Sequence, residues 1–181
     1  MPRLYLVRHG RIASSEDPDP GLAEVGRAQA EGMAAALAAK GPLPILTSPL
    51  RRARETAAPL ARLWGVTSHT ETRVGELPRP PDSGLHSHTE WLKYALVRRW
   101  PEMHASLHGW RDEVLQALLE IPADAVVESH FVVINVAVGH ALRDDRVTCF
   151  QPENCSCTVL DSKGKDLRLI ELGAAGQIRV K

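Results

Sequence analysis

The sequence predicts an α/β fold: a three-layer α/β/α sandwich around a mostly parallel central sheet of about six strands. Three observations carry that prediction. Short apolar runs alternate with stretches of helical character along most of the chain. Two of those runs, Leu4 to Val7 and Ala125 to Val127, are apolar throughout, as strands covered on both faces are. And 181 residues, 44% hydrophobic and 24% charged, suit one domain, residues 1–181, with a sizeable core.

Leu4 to Val7 is the first strand, and the polar, proline-containing segment Ile12 to Pro20 is a loop. Leu22 to Lys40 is alanine-rich with acidic residues early, so it forms a helix that Gly41-Pro42 stops. Leu43 to Thr47 is a second strand. Ser48-Pro49 then reads as a helix N-cap followed by proline at the first helical position, with the helix running to about Trp64 and ending at Gly65. Thr67 to Arg73 has the β-branched content of a short strand. Gly75 to His88, rich in proline, is a loop over one edge of the sheet. Helical stretches follow over Thr89 to Arg99 and Glu102 to Ile121, parted by Pro101. Ala125 to Glu128 is a strand and Val132 to Leu142 a helix. Thr158 to Leu160 and Leu167 to Leu172 close the sheet around the turn Ser162-Lys163-Gly164-Lys165. No internal repeat or low-complexity tract is visible.

Composition narrows the function. Lys plus Arg equals Asp plus Glu at 22 each, so no broad basic surface for nucleic acid or an anionic membrane is expected. No apolar run approaches the roughly 18–20 residues a membrane helix needs. Met1 to Tyr5 lacks the pattern of a signal peptide. The odd set Cys149, Cys155 and Cys157 makes no disulfide framework, which fits a cytoplasmic location. Cys155 and Cys157 read as alternate residues of one strand, packed in the core rather than holding zinc.

The chemistry gathers at two strand ends. Arg8-His9-Gly10 follows the first strand, and Ser129-His130-Phe131 follows the later one. In open α/β sheets, ligands bind at the C-terminal edge of the strands. An imidazole with a pKa of about 6.5 is largely neutral at pH 7 and can attack phosphorus. Gly10 removes a side chain where a ligand must come close, and Arg8 offers a fork of donors matched to phosphate oxygens. Alone, the tripeptide reads equally well as a capping histidine beside a surface arginine. A second clue is Arg51, Arg52 and Arg54 at the start of the helix after Ser48, where cations oppose the helix dipole. A bound anion would offset that cost, and a solvated basic face is the alternative. Arg52 is the expected inward residue. His130 can donate to a phosphoryl oxygen and stabilise charge developing there.

Taken together, Arg8-His9-Gly10, Leu22 to Ala30, Ser48 to Ala57 and Ser129-His130 resemble the histidine phosphatase superfamily, with its phosphoglycerate-mutase-like fold. The likeness spans most of the chain in the family's order. It implies that His9 is the phosphorylated nucleophile and that Arg8, Arg52 and His130 complete the phosphate pocket. It implies no metal or other cofactor. The family also takes an acid from the loop after the third strand to protonate the leaving oxygen, and Glu76 sits at that place, with Asp82 and Glu90 as competitors. The chain departs from the pattern too. Arg11, Ile12 and Ser15 stand where the family often has Glu or Gln, Ser or Thr, and Asn, so Ser15 is the expected replacement for the asparagine's phosphate contact. Phe131 stands where glycine commonly follows the second histidine.

The resulting expectation is metal-independent hydrolysis of a small-molecule phosphate ester. Two alternatives stay open: a mutase that returns the phosphoryl group to substrate, and a non-catalytic phospho-ligand module whose loop acid is misplaced. Weaker constellations are His86 and His88 in the loop, as solvated residues or as part of the pocket mouth, and His104, His108 and Asp112, as an exposed polar stripe. Trp91, Tyr94 and Trp100 are expected to pack helices, or one of them to wall the cleft. Oligomeric state is not legible.

Overall fold

In the computed structural model, which describes residues 1–14, 17–85 and 87–176, strands and helices alternate as β1 (Arg3–Arg8), α1 (Glu24–Leu37), β2 (Ile45–Thr47), α2 (Arg51–Trp64), β3 (His69–Thr70), α3 (His88–Leu96), α4 (Ala105–Leu119), β4 (Ala125–Ser129), α5 (Phe131–Leu142), β5 (Cys157–Lys163) and β6 (Asp166–Glu171). The strand order is β3-β2-β4-β1-β5-β6. The first four strands in sequence are mutually parallel, whereas β5 runs antiparallel to β1 and β6 antiparallel to β5. The sheet is therefore mixed: the hairpin at Gly164, whose φ is 62°, turns the chain back on one side.

Side-chain alternation along β1 shows the three layers. Tyr5 and Val7 join Met33, Leu37 and Leu60 beneath α1 and α2. Leu4 and Leu6 join Leu107, Leu118, Ile134 and Val138 beneath α4 and α5. Both faces are covered, which is why Leu4 to Val7 and Ala125 to Val127 are apolar throughout. Among the described residues, no helix is long and apolar enough to cross a membrane.

Three local readings need correction. Ser48 is not the N-cap of α2; Leu50 occupies that position without a side-chain cap. Ser48 directly follows β2, its N–H donating to the Glu128 carbonyl at 2.9 Å, and its hydroxyl is turned to His130. The strand after α2 is only His69–Thr70, because Thr72–Val74 tightens into a 3₁₀ turn that Glu71 caps. Cys155 precedes β5 with φ of 58°, so it does not share a strand face with Cys157.

Candidate active site

β1 and β4 are in parallel register, with Arg8 opposite Ser129, so both histidines emerge at the same sheet edge. The His9 N–H donates to the Ser129 carbonyl at 3.0 Å, tying the two strand ends together. The rings lie edge to face with centroids 5.3 Å apart. His9 Nδ1 is 2.8 Å from the carbonyl oxygen of Gly10. A carbonyl only accepts, so the proton sits on Nδ1 and the lone pair is left on Nε2. Burial, reinforced by neighbouring His130, pushes the His9 pKa down to about 3, so the ring is neutral at ordinary pH.

Gly10 turns out to serve packing. A Cβ there would lie 2.7 Å from the Gly26 carbonyl oxygen, and one on Gly26 would lie 2.1 Å from that of Arg11. The close approach that needs glycine is therefore of helix α1, rather than of a ligand. The Gly10 N–H donates to Thr56 Oγ1 at 3.0 Å, and that hydroxyl donates to the Arg52 carbonyl at 2.7 Å. One threonine thus joins the loop after β1 to the first turn of α2.

Of the three arginines opening α2, Arg52 points inward and is buried, while Arg51 and Arg54 are exposed and Arg51 pairs with Glu55 at 2.6 Å. Arg52 Nη2 lies 3.3 Å from Glu76 Oε2, and that same oxygen lies 3.4 Å from His130 Nδ1. Glu76 Oε1 also accepts from the Leu77 N–H at 3.1 Å. Burial pushes the Glu76 carboxyl up, but His130, Arg52 and His9 together outweigh it and hold the group below the usual carboxylate range. Arg8 is more peripheral. Its Nη1 donates to the Pro152 carbonyl at 2.8 Å and its guanidinium lies 5.2 Å from the centre of the Phe131 ring. Its Nε is buried with no hydrogen-bond partner, and burial lowers its pKa against the pull of Glu76.

The structure thus brings His9, Arg52, Glu76 and His130 into one cluster with Arg8 beside it. The competing acids lie elsewhere: Asp82 is exposed near His104, 3.5 Å away, and Glu90 closes the capping box of α3. Ser15 and His86 lie outside the described residues. His88 lines the cavity. His104, at the N-cap of α4, and His108 and Asp112 on that helix are exposed. Trp91 and Trp100 are buried in the core, and Tyr94 is partly exposed under Arg98. None of these aromatics walls the cleft; Leu92 and Leu96, one turn apart on α3, do so instead. Sequence reading missed Ser48, Thr56 and Asn154, whose Nδ2 donates to the His9 carbonyl at 2.8 Å. Only Ser48 and Thr56 fall in a motif; nothing local marks Asn154.

One donor atom from each of His9, Glu76 and His130 lies within 4.8 Å of the others, a set that could hold a metal ion. The two guanidiniums beside it favour an anion instead. A cavity of about 1220 Å³ opens from the cluster. Beyond the charged end its walls include Leu50, Leu77, Pro78, Leu92 and Phe131, with Arg79 and Lys93 at the rim.

The family model described as histidine phosphatase superfamily (branch 1) matches residues 4–174. A glucosyl-3-phosphoglycerate phosphatase of Mycobacterium tuberculosis is 36% identical over 80 residues, 41% of this chain, and the match spans only 36% of that protein's length. A probable phosphoglycerate mutase of Yersinia pestis is 29% identical over 190 residues, covering 89% of this chain and 85% of the relative. A solved structure of a mycobacterial glucosyl-3-phosphoglycerate phosphatase with inorganic phosphate superposes with a TM-score of 0.75 at 23% identity, over 97% of this chain and 98% of that one. That last likeness is one of fold.

Proposed function

The chain belongs to the histidine phosphatase superfamily, and from that premise we propose that it hydrolyses small phosphomonoesters through a phosphohistidine on His9, without a metal. The observation that carries the proposal is the buried, neutral His9 with Nδ1 occupied by the Gly10 carbonyl and Nε2 free beside Arg52, Glu76 and His130.

In the first step the Nε2 lone pair attacks phosphorus in line, and the bond from phosphorus to the ester oxygen breaks. That oxygen takes the electron pair and a proton from the Glu76 carboxyl. Arg8, Arg52 and His130 hold the phosphoryl oxygens as charge builds on them. An ionised Glu76 before substrate binds is consistent with this role. An incoming phosphate offsets the Arg52 charge and adds negative charge next to the carboxylate. Burial, which raises the carboxyl, then prevails. In the second step water attacks the phosphohistidine, Glu76 accepts its proton, and phosphate leaves with the P–N bond electrons returning to Nε2. The Glu76 oxygen at 3.3 and 3.4 Å from Arg52 and His130 speaks against a merely binding module with a misplaced acid.

The largely apolar walls beyond the cluster favour an alcohol with an apolar body. The cytoplasm is the proposed location, where the three free thiols stay reduced. The likeness to a probable phosphoglycerate mutase over 89% of the chain favours phosphoryl return to substrate as the second reading; movement of isotopic label between positions of a phosphoglycerate would distinguish it. The test of the main proposal is hydrolysis of an aryl phosphate with chelator present, wild type against His9→Ala. Turnover in the wild type that the variant loses almost entirely is expected. An undiminished rate in the variant, or a wild-type rate that needs added metal, would sink the proposal.

A further inference from the structure

His130 is fully buried, and its Nε2 lies 2.7 Å from Ser48 Oγ. Ser48 is equally buried, and its hydroxyl oxygen already accepts from the Leu50 N–H at 3.2 Å. Among the described residues, the hydroxyl proton of Ser48 has one acceptor within reach, the Nε2 of His130. A buried hydroxyl that leaves its proton unshared loses a hydrogen bond it had in water. The arrangement therefore favours Ser48 as the donor and a neutral His130 as the acceptor at Nε2. The ring proton must then sit on Nδ1, the atom facing Glu76 across 3.4 Å, in the cluster where the phosphoryl group would lie.

We infer that Ser48 is a positioning residue that fixes the tautomer of His130, so that this neutral imidazole presents an N–H, rather than a lone pair, to the site. A lone pair there would face the Glu76 carboxylate and, in turn, the phosphoryl oxygens, all acceptors. The rest of the local structure serves the same end. The Ser48 N–H is held by the Glu128 carbonyl at 2.9 Å, and the Ser129 hydroxyl donates to the Val74 carbonyl at 2.6 Å. The first contact fixes the end of β2 against β4, and the second brings the chain leading to Glu76 against the residue before His130.

The effect on turnover rests on the phosphatase reading above; the tautomer does not. The test is therefore in two parts. Long-range ¹H–¹⁵N correlation spectra of the ligand-free, ¹⁵N-labelled protein, assigned against His130→Gln, should show a protonated Nδ1 and an unprotonated Nε2 in neutral His130. A neutral ring with its proton on Nε2 overturns the inference and needs no Ser48 variant to fold. In Ser48→Ala the tautomers should mix and kcat on an aryl phosphate should fall about ten-fold, with KM changed less. Ser48→Thr, which keeps the hydroxyl, should restore both. An unchanged tautomer, or a changed tautomer with unchanged kcat, overturns the positioning role. The expected tautomer in a protein that hydrolyses no phosphate ester would support the Ser48 assignment and count against the phosphatase reading alone.

Discussion

Raising the pH from 5 to 7 is expected to weaken the fold through one side chain, Glu128. It lies on β4 opposite Val7 of β1 and Thr47 of β2, in the middle of the sheet. It has no solvent exposure, and neither carboxylate oxygen has a hydrogen-bond partner. Burial alone raises its pKa well above the ordinary range, so the folded protein keeps a proton there. The same burial pushes the nearby thiols of Cys155 and Cys157 up to about 12, so neither adds a charge. The unfolded chain releases that proton above about pH 4.3. With more protons bound folded than unfolded, stability is full below the unfolded pKa and is lost as the pH rises towards the folded one. One proton corresponds to at most about 1.4 kcal/mol per pH unit, for as long as the pH stays below the folded pKa. Glu128→Gln removes the titration while keeping the shape and a neutral polar group. The assay is urea unfolding of both proteins at pH 5, 6 and 7. Lowered His9 and Glu76 act with the opposite sign, gaining stability as pH rises, but they are common to both proteins and cancel in the difference. At a slope of about 2 kcal/mol per molar urea, the variant's midpoint should exceed the wild type's by more at pH 7 than at pH 5, by up to about 1 M. Parallel pH profiles would refute the reasoning and show that the buried carboxyl does not take up a proton on folding.

Two further outcomes follow from the site and its supports. Glu76→Gln should lower kcat on alkyl phosphates by about 10²–10⁴-fold and on aryl phosphates, whose leaving groups need little protonation, far less; equal losses on both would remove Glu76 as the acid. Gly26→Ala should destabilise the fold by about 1–3 kcal/mol or more in denaturant unfolding, because its Cβ would meet the Arg11 carbonyl oxygen at 2.1 Å, and a neutral result would mean that α1 does not seat on the loop after β1 as described.

The parts of the fold legible in the sequence were those with a local cause. Leu4 to Val7 of β1 and Ala125 to Val127 of β4 are apolar throughout because both faces are covered, and α2 ends at Gly65 because that residue adopts φ of 66°. Arg52 was legible as the inward arginine because three cations at a helix start ask for an anion. Features decided by distant neighbours were not legible. Ser48-Pro49 has the local pattern of a helix start, yet the hydroxyl goes to a histidine 82 positions away. Gly10 looked like room for a ligand because the backbone that fills the space belongs to α1. Asn154 reaches the His9 carbonyl only because β5 returns antiparallel beside β1.

The charge states of the site follow from a contest between burial and neighbours that phosphate would reverse. Burial and a second histidine strip His9 of its charge, which on the proposed reading leaves a lone pair for attack. Glu76 keeps 13% of its side chain exposed at the cavity, and it stays ionised because His130, Arg52 and His9 face it. Burial alone would raise it, as burial raises Glu128, which has no such neighbours. The two glutamates are thus a comparison within one protein: burial raises both carboxyls, and the Arg52 guanidinium with the two imidazoles facing Glu76 reverses its shift. On the proposed reading, a phosphate dianion engaging Arg52 would offset that cation beside Glu76 and move the carboxyl towards the protonated state of Glu128. Substrate binding would then itself load the proton that the leaving oxygen needs, and the departure of phosphate would return Glu76 to the ionised state.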